Sequence, residues 1–135
     1  MNEEHLQYLH HTYGDCTVEA TDNVVARADF LKLLQRIQQG KVWSAGVIVA
    51  DSQAKTLLQR GDWSQQWHPP GGSVREGEYP DEGARRTVLE ETGIEVKIGE
   101  LLILNRVTWH CEQEKAEQYA LVFRAQALSD APPMP

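Results

Sequence analysis

Residues 71–94, GGSVREGEYPDEGARRTVLEETGI, combine glycines, carboxylates and arginine at spacings that suit a charged ligand. Glu90 and Glu91 are adjacent, and Thr87 lies three and four residues before them. A helix would place these three side chains on one face. Adjacent carboxylates repel each other, and a partly buried surface tolerates them only beside a cation or an arginine. The segment therefore predicts a site for a divalent cation such as Mg2+, which prefers oxygen ligands and completes its shell with water and phosphate.

The loop before this helix supplies the second half of the predicted site. Pro69 and Pro70 stiffen the approach, while Gly71 and Gly72 allow backbone groups to come close to a ligand. Glu78, just ahead of the helix, adds a carboxylate that can reach the same face.

Each of these features also has a simpler interpretation. Glu78, Glu82, Arg86 and Glu90 recur every four residues, as they would on a solvated helix with ordinary ion pairs. The glycine loop and the turn after Glu91 favour the site. Core or rim packing is the simpler interpretation of the aromatic residues Trp43, Trp63 and Trp67. His68 and His110 are most simply interpreted as polar neighbours of the site.

Two helices are predicted around these residues. The first covers residues 29–39, with Asp29 as its cap and Gly40 as its end. Its apolar face packs on the sheet or on a second subunit. The second runs from about Pro80 to Thr92 and stops at Gly93.

Short apolar runs rich in β-branched residues predict the strands, at residues 42–51, 56–60, 95–110 and 119–128. The charged stretch CEQEKAEQ is predicted as a loop between the last two strands. Strands on both sides of a central helix predict an α/β (α+β) sandwich. The expected organisation is an N-terminal helical extension (1–40), one domain (41–130) and a frayed tail (131–135).

Composition limits the class of protein. A chain of 135 residues with 41% hydrophobic and 24% charged residues is typical of one small globular domain. The formal charge of −7 disfavours a nucleic-acid binder. Cys16 and Cys111 are too far apart for a CxxC site, which favours two reduced thiols. The acidic N-terminus and the absence of a long apolar run predict a cytoplasmic protein without a membrane segment.

The segment resembles the Nudix box, G-x5-E-x7-R-E-U-x-E-E-x-G-U with U an aliphatic residue. Eight of the nine fixed positions agree, and these are Gly72, Glu78, Arg86, Val88, Glu90, Glu91, Gly93 and Ile94. Trp67, Pro70 and Gly71 are also similar to the W-x-x-P-G-G sequence that precedes the box in the family. The resemblance implies a Nudix-type α/β/α sandwich with a mixed sheet.

The same resemblance implies a function, the hydrolysis of a nucleoside diphosphate linked to another group X by water, with Mg2+ or Mn2+ as cofactor. Divalent ions polarise phosphoryl oxygens and lower the pKa of bound water. The implied substrate is a small nucleotide or nucleotide derivative. A homodimer is left open, because the sequence does not indicate the oligomeric state.

The resemblance also implies roles for individual residues. The metal ligands are expected to be the Gly71 carbonyl with Glu90 and Glu91, and Arg86 is expected to orient the glutamates through its guanidinium fork. Glu78 is expected to support the metal or to orient its neighbours. Substrate contacts are expected from the loop and strand residues Gly72, Trp67 and Arg60.

Thr87 departs from the family pattern, which has a glutamate at this position. A threonine hydroxyl is neither an anionic ligand nor a useful base at neutral pH. Three outcomes follow, of which the first is that a carboxylate from the predicted loop takes over, with Glu117 preferred to Glu112 and Glu114 as ligand and base. The others are catalysis with fewer metal ions, or a degenerate domain that binds a nucleotide as a sensor or scaffold without hydrolysis.

Overall fold

The computed structural model describes residues 2–50, 56–57, 59–60 and 67–128. The helices are α1 (Asn2–Tyr13), α2 (Arg27–Gln38) and α3 (Pro80–Thr92). The strands are β1 (Thr17–Val24), β2 (Trp43–Ala50), β3 (Thr56–Leu57), β4 (Gln59–Arg60), β5 (Trp67–His68), β6 (Gly71–Ser73), β7 (Val96–Cys111) and β8 (Glu114–Ala127). No helix in this part of the chain is long and apolar enough to cross a bilayer.

Six strands form one mixed sheet in the order β1-β7-β8-β2-β3, and β6 also pairs with β2. The β1–β7 and β2–β8 pairs are parallel, whereas the β7–β8, β2–β3 and β2–β6 pairs are antiparallel. Strands β4 and β5 form a separate two-stranded sheet. The predicted mixed sheet and α+β class are confirmed.

The main core lies on one face of this sheet. Alternate residues of β2 and β8 are buried there because successive strand side chains point to opposite faces. They are Trp43, Ala45, Val47 and Val49 of β2 and Tyr119, Leu121, Phe123 and Ala125 of β8. Helix α3 adds Ala84 and Val88 to the same core, so its inner face is fixed against the sheet.

Helix α2 covers the opposite face of the sheet. Gln118 precedes the core residue Tyr119 and therefore points away from the core, and it lines one groove with Trp109 and α2. Phe30 of α2 is 1% exposed. The α/β/α sandwich is confirmed, with α1 and α3 on one face and α2 on the other.

The first 28 residues contain more structure than their weak sequence pattern predicts. Helix α1 buries Leu9 in the main core and places Tyr13 edge-on to Phe123, at 5.5 Å between ring centroids. Strand β1 pairs with β7 over its whole length. The predicted helical extension, residues 1–40, therefore also contributes one strand to the main sheet.

The charged loop expected between the last two strands is also wrong. Strands β7 and β8 form a long hairpin in which Cys111 faces Glu114, and only two residues form the turn. Glu112, the first of them, has a positive φ of 57°. Cross-strand hydrogen bonding extends the polar ends of both strands beyond the apolar core, which a hydrophobic pattern does not reveal.

The bounds of α3 agree with the prediction, whereas the start of α2 and the predicted strand 56–60 differ from it. Helix α3 begins at Pro80 and ends before Gly93, which has a φ of 75°, as predicted. Helix α2 begins at Arg27, and its N-cap is Ala26 without a side-chain cap. Asp29 therefore lies inside the first turn and is not the cap. The predicted strand 56–60 is divided, because its ends belong to β3 and β4.

Candidate active site

The glycine strand β6 presents backbone groups towards α3. The Pro70 carbonyl accepts from the Val47 N–H, at 2.9 Å, and the Val74 N–H donates to the Trp43 carbonyl, also at 2.9 Å. The hydrogen-bonding direction alternates along a strand, so the backbone N–H and C=O groups of Gly71 and Ser73 point away from β2. The Gly71 N–H accordingly donates to Glu91 Oε1 at 3.4 Å.

Gly71 is required at its position by close backbone packing. A Cβ atom there would lie 2.5 Å from the Ala45 carbonyl oxygen and 2.8 Å from the Gly46 Cα. Both atoms belong to β2, so neither can move without distorting the sheet. The glycine therefore allows β6 to approach β2 closely.

Arg86 joins the glycine strand to the carboxylates of α3. Its Nε and Nη2 bind both oxygens of Glu78, at 2.7 and 3.0 Å, and Nη2 also donates to the Ser73 carbonyl at 2.9 Å. Its Nη1 donates to Glu90 Oε2 at 3.1 Å. A planar guanidinium with several fixed donors is suited to such a junction. The predicted orienting geometry of Arg86 is therefore present.

Glu78 is occupied by this network. Its Oε1 also accepts from the Arg75 N–H at 2.8 Å, and its side chain is only 20% exposed. The hydrogen bonds from Arg86 hold the pKa of the Glu78 carboxyl below its ordinary value, against the opposite effect of partial burial. Glu78 in turn raises the pKa of Arg86. Of the two predicted roles, this geometry favours orientation over metal binding.

Glu90 and Glu91 lie on the exposed side of α3. Glu90 pairs with Arg86 and also with Arg75 Nη2 at 3.4 Å, and its side chain is 50% exposed. The Arg75 contact is not predictable from the spacing, because it depends on the loop bend at Gly77, which has a φ of 87°. The glutamate pair is held by cations and by the backbone of β6.

The donor set can be compared with what a divalent ion needs. Among residues 2–50 and 67–128 no group of three or more histidine, cysteine, aspartate or glutamate side chains is close enough to hold a metal ion. Glu91 contacts the Gly71 N–H and Glu90 precedes it on α3, so these two carboxylates and the Gly71 carbonyl are the hard oxygen donors beside β6. Mg2+ is commonly bound by one or two carboxylates, with waters and substrate phosphates completing its shell. The chemistry of these residues fits such an ion.

Thr87 points into the protein instead of sharing the exposed face of Glu90 and Glu91. It is 6% exposed, and its hydroxyl donates to the Gly83 carbonyl at 2.8 Å. Its methyl group lies under Gly72, where an added Cβ would be 3.0 Å from Thr87 Cγ2. The expectation of one common face is therefore wrong, since position 87 faces the strand β6 backbone.

Glu117 lies at the other end of the sheet. Val122 of β8 is level with Gly46, and Gly46 is level with Gly71. Glu117 precedes Val122 by five residues, which is about 16 Å along the strand. The structure does not bring Glu117 to the Glu90–Glu91 pair. Its role as ligand or base stays a prediction that this placement argues against.

Of the other residues singled out in the sequence, Gly72 lies beside the candidate site, whereas Trp43 and His110 lie elsewhere. Gly72 pairs with Ala45 in the sheet, beside the candidate site. The backbones of Arg60 and Trp67 pair in the two-stranded sheet, but their side chains lie outside what the structure describes, as does Trp63. Trp43 is a core residue, stacked on Tyr119 at 4.3 Å between ring centroids. His110 pairs with Asp22 at 2.8 Å on the far edge of the sheet.

A sequence model described as the NUDIX domain matches residues 40–134. A MutT-like protein of Streptomyces ambofaciens is 40% identical over 57 residues, which are 42% of this chain and 36% of that protein. An RNA pyrophosphohydrolase of Bartonella clarridgeiae is 39% identical over 57 residues, 42% of this chain and 30% of that protein. The matches thus span about a third of the length of these curated relatives.

The fold itself is similar to that of a solved protein. The crystal structure of a NUDIX family hydrolase from Clostridium perfringens has a TM-score of 0.54 with this chain. The two are 19% identical, over 70% of this chain and 73% of that one. At this identity the similarity shows the fold alone.

Proposed function

Because this chain belongs to the NUDIX domain family, we propose that it is a divalent-metal-dependent pyrophosphohydrolase that cleaves a nucleoside diphosphate linked to another group. The observation that carries this proposal is the junction of the Gly71 backbone, Arg86 and the Glu90–Glu91 pair. A diphosphate is anionic, so attack of water on it requires neutralisation of charge. The two glutamates repel such a substrate on their own, so they need a cation between them and the phosphates.

Glu90, Glu91 and the Gly71 carbonyl would hold Mg2+ or Mn2+. Such an ion supplies charge neutralisation at the phosphoryl oxygens and a lowered pKa of bound water. Arg86 acts as a positioning residue, because its bonds to Glu78 and the Ser73 carbonyl keep Glu90 in one orientation. Gly72 leaves room for Thr87, because an added Cβ would lie 3.0 Å from Thr87 Cγ2, and it stays a proposed substrate contact.

Glu91 is the group that we assign to the water proton. It lies beside the Gly71 N–H and carries an acceptor oxygen towards the glycine strand. Thr87 cannot take this role, since its hydroxyl already donates to the Gly83 carbonyl inside the protein. Glu117 is the alternative base from the sequence and is tested beside Glu91.

The proposed substrate is a small nucleotide derivative. The net charge of −7 disfavours a long polyanion, which would need a basic surface along its path. One relative is an RNA pyrophosphohydrolase, so RNA with a 5′ triphosphate belongs in the test. Trp67 and Arg60 stay proposed substrate contacts.

The test is product release with Mg2+ or Mn2+ from a panel of nucleoside triphosphates, nucleotide sugars, dinucleoside polyphosphates, CDP-alcohols and 5′-triphosphate RNA. We expect Glu91→Gln to lower kcat by about a hundredfold or more, as removal of a general base does. Glu3→Gln in α1 is the matched control and should keep full turnover. Glu117→Gln should behave like Glu3→Gln; loss of turnover in that variant would restore Glu117 as the base.

The second candidate function is a NUDIX domain that binds a nucleotide without hydrolysis. The buried, satisfied hydroxyl of Thr87 favours it, because the box carries one carboxylate fewer than the family pattern. Saturable binding without product for every member of the panel, in the native protein and in Glu91→Gln alike, would select this function. Turnover that depends on Glu91 would exclude it.

A further inference from the structure

Strand β1 forms one edge of the main sheet, opposite the edge that carries the candidate active site. Its residues 17–24 pair with residues 103–110 of β7 in one unbroken parallel register. Within the part of the chain that the structure describes, no strand pairs with its outer side. An exposed edge of this kind offers a row of unpaired donors and acceptors to another strand.

The backbone groups that face outwards can be identified. The Val25 N–H donates to the His110 carbonyl at 2.9 Å, so the groups of the odd-numbered residues point to β7. The even-numbered residues of β1 therefore turn their N–H and C=O groups to the free side. These residues are Val18, Ala20, Asp22 and Val24.

The side chains of the two valines are unusually exposed for apolar groups. Val18 is 70% exposed and Val24 is 85% exposed. They point to the same face of the sheet, since they are separated by an even number of residues. Thr21 lies midway between them, so the apolar pattern of the strand is symmetric about this residue. The segment TVEATDNV also contains no lysine, arginine or proline, which commonly protect an edge.

We propose that β1 pairs with β1 of a second copy of this chain, antiparallel about a two-fold axis at Thr21. In this register Val18 of each copy faces Val24 of the other, and Ala20 faces Asp22. All four of these residues carry outward backbone groups, so the Val18–Val24 and Ala20–Asp22 pairs are hydrogen-bonded pairs. Both exposed valines are covered, and the two main sheets become one.

The charged side chains of β1 favour this strand register over registers with the two-fold axis at a neighbouring residue. No carboxylate directly faces another, because Glu19 lies opposite Asn23 of the second copy. The two Asp22 side chains are diagonal neighbours at about 7 Å, and each is paired with its own His110 at 2.8 Å. An axis at Asp22 would set this carboxylate against itself, and an axis at Ala20 would set Val18 against Asp22. Like charges directly opposite destabilise a sheet.

The two-fold axis gives a selective test by cross-linking. Thr21 faces Thr21 of the second copy in a non-hydrogen-bonded pair, with Cα atoms about 4.5 Å apart, a separation that permits a disulfide. We expect Thr21→Cys to form a disulfide-linked dimer under mild oxidation and to lose it on reduction. Glu19→Cys is the control, because Asn23 faces it and no disulfide can form in this register. Equal cross-linking of both variants, or of the parent through Cys16, would overturn the register.

A charge-exchange test addresses the contact between the valines. The double variant Val18→Lys/Val24→Lys sets lysine against lysine twice, and we expect it to weaken dimerisation by about tenfold or more in sedimentation velocity. The matched double variant Val18→Lys/Val24→Glu sets opposite charges together and should dimerise more strongly than the double lysine variant. Circular dichroism confirms that each variant is folded.

The remaining outcomes also decide the proposal. A native protein that stays monomeric at every concentration contradicts it. A native dimer that the two double variants leave unchanged uses another surface and contradicts it as well. The pairing does not depend on the proposed function, since β7 and β8 separate β1 from the candidate active site.

Discussion

At the scale of single residues, position 87 decides how far this site follows the family pattern. Thr87 is small enough to lie under Gly72, and its hydroxyl returns to the backbone of its own helix. The adjacent turn of the helix carries Glu91, which contacts the same glycine strand. A carboxylate at position 87 would therefore enter the space beside the proposed metal ligands from the buried side.

We predict that Thr87→Glu makes stability depend on metal. Burial of a carboxylate without a partner costs several kcal/mol, of the order of 2–5, so Tm should fall in metal-free buffer. Mg2+ or Mn2+ should recover much of the loss and raise turnover if the missing carboxylate limits the rate. Thr87→Gln introduces a side chain of the same size as glutamate but without its charge, so metal should not restore the Tm of this variant. Equal responses of both variants would show that position 87 does not face the metal site.

The Glu78–Arg86 pair predicts a loss of stability in acid. The folded protein holds the pKa of the Glu78 carboxyl below its ordinary value of 4.5. The stabilisation is therefore complete above pH 4.5 and is lost as pH falls through the lowered pKa. Glu78→Gln should lower Tm at neutral pH and show a smaller further decrease below pH 4.5 than the parent. Thermal unfolding over this range measures the difference, and parallel curves would contradict the assignment.

At the scale of elements, α1 acts as a clamp on the start of α3. The Tyr8 and Tyr13 hydroxyls both donate to Asp81 Oδ2, at 2.8 and 2.6 Å. Tyr8 also stacks on Tyr79, the residue before α3, with ring centroids 4.0 Å apart. The loop that carries Glu78 enters α3 at this point, so the clamp indirectly fixes the position of the carboxylate network.

The clamp predicts a loss of stability in alkali. Burial, together with the Asp81 hydrogen bond, raises the pKa of Tyr8 from 10.0 to about 12 and also raises that of Tyr13. This stabilisation is complete below pH 10 and is lost as pH rises through about 12. The double variant Tyr8→Phe/Tyr13→Phe should have a lower Tm at neutral pH and a shallower decrease above pH 10. An unchanged alkaline profile would remove the clamp as its cause.

At the scale of the whole molecule, the segment before residue 41 and the matched domain share one core. Leu9 of α1 is 2% exposed and packs among the buried residues of β2, β8 and α3. Strand β1 extends the same sheet. We therefore expect the two parts to unfold together.

This expectation is tested by a core substitution far from the candidate site. Leu9→Ala should lower the free energy of unfolding by about 2–5 kcal/mol, as buried leucine truncations do, while a single cooperative transition is kept. Leu31→Ala removes a leucine that is 55% exposed and should change stability by less than about 0.5 kcal/mol. Two separate transitions in the native protein would show that the N-terminal segment is an independent unit.

The sequence by itself determined the family, the α/β/α architecture and the bounds of α3, and it singled out Gly71, Arg86, Glu90 and Glu91 as candidate site residues. These features depend on local information in the sequence. That information consists of fixed residue spacings, the start and stop signals of a helix, and the glycine Gly71, whose position allows close backbone packing. The bidentate pairing of Arg86 with Glu78 was within reach of the same reasoning, because both residues belong to one short motif.

Only the tertiary structure decided where distant parts of the chain meet. Strand β1 joins β7 between residues as far apart as Thr17 and Ile103, and no local pattern specifies such a parallel pairing. The inward orientation of Thr87 depends on β6 passing over α3, and the separation of Glu117 from the glutamate pair depends on the register of β8 against β2. The physical reason is the same in each case: sequence periodicity fixes which side of an element a residue occupies, whereas packing between elements fixes what lies there.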